Sequence, residues 1–102
     1  MKTGIEIISD ERKRQIEVEG YTSEHDDKEK GNQIALAAAC YAIPAYVLNV
    51  PVLNNKKTVF DIIWNWDDEF WKPTPNNRIK ELVKAGALIA AEIDRLQRLN
   101  NK

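Results

Sequence analysis

Apolar positions along the chain fall into three helical patterns separated by polar or turn-rich stretches. Ile5, Ile8 and Ile16 recur at near-helical spacing with Arg12 between them on the same side, which predicts a helix over residues 5–19. Gly20 is its natural stop, while Ser9 and Asp10 offer the cap of a shorter helix. Residues 21–31 are polar, hold the single His, and read as a loop with room for one helical turn. Asn32 to Val47 is rich in alanine, the best helix former, and is apolar on nearly every side. Such a helix is central and buried, and Pro44 ends it near Ile43.

Asn49 to Lys57 is a turn-rich connection, after which Thr58 caps a short helix from Val59 to Trp64. Trp64, Trp66, Phe70 and Trp71 then crowd around Asp67-Asp68-Glu69, and Pro73 and Pro75 close that segment. Asn76 or Asn77 caps a last helix that runs to about Leu99. Its stripe is Ile79, Leu82, Val83, Gly86, Ile89, Ala90, Ile93 and Leu96, at steps of three and four. At 1.5 Å per residue this helix is roughly 35 Å long, as long as a small domain is wide. It is expected to reach past the body and pack on another chain, making the protein a homo-oligomer, most simply a dimer. No sustained period-two alternation and no hairpin signal is visible. The expectation is one all-α domain over residues 1–102: a small bundle of three main helices, a short fourth element and a long C-terminal helix.

Length and charge narrow the function classes. With 102 residues the chain builds one core. Its 15 basic and 16 acidic residues leave no basic excess, which argues against general nucleic-acid binding. One Cys makes no internal disulfide, so the fold does not depend on an oxidising compartment. Cys40 reads as a buried, inert thiol. Met1 to Asp10 has no apolar core of a secretory signal, and the run Ile34–Leu48 is too short to span a bilayer. No membrane association and a cytoplasmic location are therefore expected.

Three groups of residues carry possible chemistry. Glu24-His25-Asp26-Asp27 offers carboxylates and an imidazole suited to a cation or to acid–base work. Neighbours in a row point different ways, so two at most converge, joined by acids such as Glu19 or Glu92. The same run also reads as a solvated loop that caps the next helix. Arg14, with Gln15 and Glu19, offers a planar fork for phosphate or carboxylate, or else pairs along a surface helix. Trp64, Trp66, Phe70 and Trp71, with Lys72 beside them, offer flat faces on which a base stacks, or else fill the core between short elements. No phosphate-binding glycine loop, dinucleotide fingerprint or zinc spacing occurs.

In Glu11-Arg12-Lys13-Arg14-Gln15-Ile16, Glu19-Gly20-Tyr21-Thr22 and Glu24-His25-Asp26-Asp27 the chain resembles a family of small phage and prophage proteins. The likeness continues through Gly31, Ala38-Ala39-Cys40-Tyr41-Ala42, Trp64-Asn65-Trp66 and Trp71-Lys72-Pro73. It ends with Leu82 to Ile89 and Ala91 to Leu96, so it covers nearly the whole chain in order. More distantly it is similar to all-α nucleotide pyrophosphohydrolases of the MazG type. That superfamily implies an oligomeric helical bundle whose E-x-x-E and E-x-x-D acids hold magnesium over a nucleotide's phosphates. Here Glu24 and Asp27 keep the spacing, but Arg95 stands three residues after Glu92, and Asn32 and Gln33 stand where relatives carry an acid.

The resemblance implies a phage-type protein that sequesters a phosphorylated, nucleotide-derived molecule, such as a host defence signal, in a bacterial host. The candidate ligand residues are Arg14, Glu19, Glu24, His25, Asp26, Asp27, Trp66, Trp71, Lys72 and Lys84. In this reading Trp66 or Trp71 stacks the base, Arg14, Lys72 and Lys84 meet phosphate, and His25 with Asp26 reads polar groups. No cofactor or metal is expected. The alternative is a Mg²⁺-dependent pyrophosphohydrolase using Glu19, Glu24, Asp27 and Glu92. A third reading is an interaction module that blocks a host factor through the long helix and the tryptophans.

Overall fold

Thr3 starts the first helix, α1 (Gly4–Glu17): its hydroxyl accepts from the Glu6 N–H while the Glu6 carboxylate accepts from the Thr3 N–H. This computed structural model describes residues 1–29, 32–54 and 56–101. Ser9 and Asp10 lie inside α1 and cap nothing. Gly20 takes a positive φ of 77°, which turns the chain so that the Tyr21 N–H reaches the Gln15 carbonyl at 3.0 Å. The polar stretch read as a loop contains a short helix, α2 (Ser23–Asp27), capped by the Thr22 hydroxyl. Gly31, one of the residues carrying the family resemblance, lies outside the described residues.

The alanine-rich helix, α3 (Gln33–Ala42), stops at Ile43 before Pro44, as predicted. Pro44 then opens a one-turn helix, α4 (Ala45–Leu48). The Arg78 guanidinium donates to the Tyr41 and Ala42 carbonyls and so satisfies the open C-terminal end of α3. The connection after α4 is a small hairpin, which the sequence reading did not expect. Strand β1 (Pro51–Val52) pairs antiparallel with β2 (Lys57–Thr58), with Pro51 opposite Thr58. Two-residue strands leave no alternation to read, so the all-α expectation becomes a mainly helical fold with one two-stranded sheet. Thr58 caps α5 (Val59–Ile63) through a box with Asp61. A 3₁₀ turn at Asp68–Phe70 follows, and Asn77 caps the last helix, α6 (Arg78–Asn100).

Helices α1 and α3 both pack on α6, with α2 also against it and α5 against α3. The result is two helices laid on a third, spanning 43 × 38 × 21 Å, and a closed three-helix bundle is not what the packing gives. Ile34, Ala37, Ala38 and Cys40 of α3 meet Ala85, Leu88 and Ala91 of α6 in the main core, which Tyr41, Leu48 and Trp64 complete. Burial pushes the Cys40 thiol up to about 11, so it is a packing residue.

The predicted apolar stripes are covered only in part. On α6 the buried residues are Lys84, Ala85, Ala87, Leu88, Ala91 and Glu92, whereas Leu82, Ile89, Ile93 and Leu96 are exposed. On α1 the buried residue is Gln15, while Ile5 and Ile16 are exposed. The small side chains Ala85 and Ala91 of α6 let α3 come close beside Leu88, while Leu82, Ile89, Ile93 and Leu96 lie outside that contact. Gly86 makes the same point toward α1: a Cβ placed on it would sit 2.6 Å from Ile8 Cδ1. Gly86→Val is therefore expected to cost about 1–3 kcal/mol through overpacking. Urea unfolding of the double variant with Ile8→Ala should show part of that loss recovered. A Gly86→Val chain at least as stable as the native one would contradict the close approach.

Candidate functional site

Glu11 and Arg14 lie one turn apart on α1, which lets them form a forked pair. Arg14 Nε donates to Glu11 Oε1 at 2.8 Å and Nη2 to Oε2 at 2.9 Å. Arg14 Nη1 also reaches Glu19 Oε1 at 3.2 Å, and Lys72 Nζ holds Glu19 Oε2 at 2.8 Å. The hydrogen bond from Lys72, with a second from Arg14, holds the Glu19 carboxyl below its ordinary value of 4.5 against the opposite pull of burial. Beneath this chain Lys84 is nearly buried; its Nζ donates to the Lys72 carbonyl at 2.6 Å and lies 5.5 Å from the Tyr41 ring centre. Burial pushes its pKa below the usual lysine value, with Lys80 adding to that.

These groups line an inner pocket with Gln15, Tyr21, Tyr41, Trp66, Phe70 and Leu88. Its volume is about 30 Å³, room for a water or two and not for a phosphate group. Gln15 Oε1 is buried there without a hydrogen-bond partner among the described residues.

Tyr21, Trp66 and Phe70 are shared with a wider cleft of about 320 Å³, whose other walls are His25, Glu29, Asn65 and Asp67. That volume is at the lower end of small-molecule sites. Tyr21 stacks on His25 with ring centres 4.9 Å apart and an interplanar angle of 18°. The Trp66 indole N–H donates to Glu29 Oε2 at 3.1 Å, which fixes the ring's orientation. The cleft therefore has aromatic walls and an acidic rim, and it adjoins the Arg14–Lys72 cluster.

What sets one wall of this cleft is a buried ion pair. Arg12 on α1 donates to Asp26 on α2 at 2.9 Å and to the Tyr21 carbonyl at 3.2 Å. Their side chains are 13% and 3% exposed. The other Asp26 oxygen lies 3.1 Å from His25 Nδ1. Asp26 thus orients His25 from below and does not itself line the cleft.

Of the ten candidate ligand residues, Arg14, Glu19, Trp66, Lys72 and Lys84 come together at the inner pocket, and His25 joins Trp66 at the wider cleft. Trp71 is elsewhere, packed against Tyr41, Phe60 and Trp64 with ring centres 4.7, 4.9 and 5.1 Å away. Glu24 is exposed in the first turn of α2. Asp27 pairs with Arg98 at 2.8 Å, and Glu92 is held by Arg95 at 2.6 Å. Of the four acids proposed for magnesium, Glu19 is thus tied into the Arg14–Lys72 cluster, while Asp27 and Glu92 are held by arginines of α6. Among the described residues no group of three or more His, Cys, Asp or Glu side chains is placed to share an ion.

Tyr21, Glu29, Asn65 and Asp67 are cleft residues that the sequence does not single out, whereas Phe70 belongs to the aromatic set expected to stack a base. Tyr21 directly follows Gly20 and Glu29 lies four residues after His25, so both had a local hint. Asn65, Asp67 and Phe70 sit in an irregular segment whose placement no periodicity encodes. No protein-family model matches the chain, and comparisons with curated proteins and with solved structures find no significant match.

Asp26→Ala should cost about 3–5 kcal/mol, because it strands a buried guanidinium. Asp27→Ala, which breaks an exposed pair, should cost under about 1 kcal/mol. Chemical denaturation of the two variants measures the contrast, and equal losses would contradict it. Glu19 has its own pH signature. Its native pKa is lowered, so its stabilising effect is complete above the ordinary value and is lost as pH falls through the native one. Glu19→Gln should be less stable than the native chain near pH 7, with the gap narrowing in acid as the Glu19 carboxyl takes up its proton. A gap that persists in acid would mean that the charge of Glu19 is irrelevant.

Proposed function

We propose that the chain binds and holds a phosphorylated, nucleotide-derived small molecule in the cleft between Tyr21, His25, Trp66 and Phe70. One observation carries this reading: an aromatic-walled cleft of about 320 Å³ adjoins the cations Arg14 and Lys72. A planar ring laid on the cleft side of Trp66 gains stacking, with Tyr21 tilted against Trp66 at its edge. Glu29 and Asp67 on the rim accept N–H donors from a base, while a phosphate meets Arg14 and Lys72. Their pairs with Glu19 are part-exposed, and exposed pairs cost little to rearrange. Lys84 acts from inside: as donor to the Lys72 carbonyl it holds the backbone that carries Lys72.

Holding without cleavage fits better than hydrolysis, because Glu19, Asp27 and Glu92 are each engaged by a cation. The family resemblance adds the setting, a phage-type protein that sequesters a host defence signal in the bacterial cytoplasm.

Mass spectrometry of small molecules released by heat, after incubation with a panel of nucleotide signals, tests the reading. Recovery of one unchanged phosphorylated ligand supports it. Release of cleaved products points to the enzyme, and recovery of nothing refutes both. With the ligand in hand, Trp66→Ala should weaken binding by about 1–3 kcal/mol, the usual loss for one stacked base. Trp71→Ala should lower stability by about 3 kcal/mol, since Trp71 fills the core, and should leave affinity in the folded fraction unchanged. Equal affinity in the native chain and Trp66→Ala, followed by intrinsic fluorescence, would exclude the cleft.

A further inference from the structure

Helix α6 has its large apolar side chains outside and two charged ones inside. Leu82, Ile89, Ile93 and Leu96 are 46%, 48%, 51% and 41% exposed, while Lys84 and Glu92 on the buried face are 9% and 7% exposed. A surface helix of a monomer has the opposite arrangement. The four apolar residues are spaced by seven, four and three, the a/d pattern of a seam between two helices. α1 does not cover them. It crosses α6 at Gly86 through Ile8, and Ile5, one turn before Ile8, is itself 82% exposed.

The surface area shows how much is uncovered. A monomer of 11.7 kDa is expected to expose about 5,900 Å². This chain exposes 6975 Å², an excess of about 1,100 Å² over that expectation. Each partner of a standard interface loses about 800 Å². The radius of gyration, 14.3 Å, likewise exceeds the roughly 13 Å expected of a compact chain of this length. The molecule is a plate 21 Å thick in its shortest direction.

We propose that a second copy of this chain covers that face, with α6 packed on α6 through Leu82, Ile89, Ile93 and Leu96 across a two-fold axis. A self-complementary apolar stripe suits an isologous contact, in which the same patch serves both partners. The excess over the whole molecule is larger than the roughly 800 Å² that one such contact removes from each copy. The contact is independent of the proposed ligand. Lys84 and Leu88 line the inner pocket from the buried face of α6, so pairing through the other face leaves the cleft open.

Light scattering on the full chain at tens of micromolar should give twice the chain mass of 11.7 kDa. The double variant Ile89→Glu, Ile93→Glu should halve that mass with helical circular dichroism retained. Ile62→Glu, at an exposed apolar residue away from α6, should leave the mass unchanged. A native chain of single mass, or a dimer that survives the double variant, overturns the proposal. Should the double variant not fold, single cysteines at Leu82, Ile89, Ile93 and Leu96 decide. Cys40 is buried and does not interfere. Disulfide-linked dimers from at least one of the four under mild oxidation support the interface, and none from any of them overturns it.

Discussion

Alanine at the contact between α3 and α6 sets the dimensions of everything else. Ala37 and Ala38 face Ala85 and Ala91 with almost no exposed surface, so the two helix axes come close and the core between them is thin. Leu88 is the large α6 side chain in this core, while the stripe of Leu82, Ile89, Ile93 and Leu96 is on the exposed side. Volume is supplied at one end instead, where Tyr41, Phe60, Trp64 and Trp71 make a block of stacked, edge-to-face and tilted rings. The tryptophans therefore have divided duties. Trp64 and Trp71 fill the block, and Trp66 at its margin turns toward the cleft.

The polar side of the structure follows from α1. Its inward face carries Arg12 and Gln15 where a helix in an apolar core would carry aliphatic residues. Burying a guanidinium has a high desolvation cost unless a carboxylate meets it. Asp26 does so, and the pair joins α1 to α2. That joint sets Tyr21, His25 and Glu29 along one wall of the cleft, while the irregular segment from Asn65 to Phe70 makes the other. The Glu11–Arg14–Glu19–Lys72 chain performs a similar task further along, tying α1 to the segment before α6. Charged groups in this protein are positioned by one another, which leaves their polar heads beside an aromatic cleft.

Two faces of one helix thus have separate roles. The inner face of α6 closes the core and supports the pocket through Lys84 and Leu88. The outer face is apolar and suited to a second copy. Gly86 lies between these functions, since only a residue without a side chain admits Ile8 and lets α1 cross there.

Local physics alone determined much of this protein. The caps at Thr58 and Asn77, the stop before Pro44, the extent of α6 and the mainly helical character were all legible, because each depends on a few neighbouring residues. Bringing Arg14, Glu19, Trp66, Lys72 and Lys84 to one place agreed with residue chemistry, yet nothing local required it. The tertiary structure decided which face of each helix points inward. Periodicity reports that a helix has an apolar side, but not whether that side meets its own chain or another. On α6 the alanines claimed the interior through close packing, and on α1 Arg12 claimed it through Asp26. The second wall of the cleft was beyond the sequence for the same reason: it is held by contacts between residues far apart in the chain, such as Trp66 with Glu29 and Lys72 with Tyr41. The two-residue strands are too short to show an alternation.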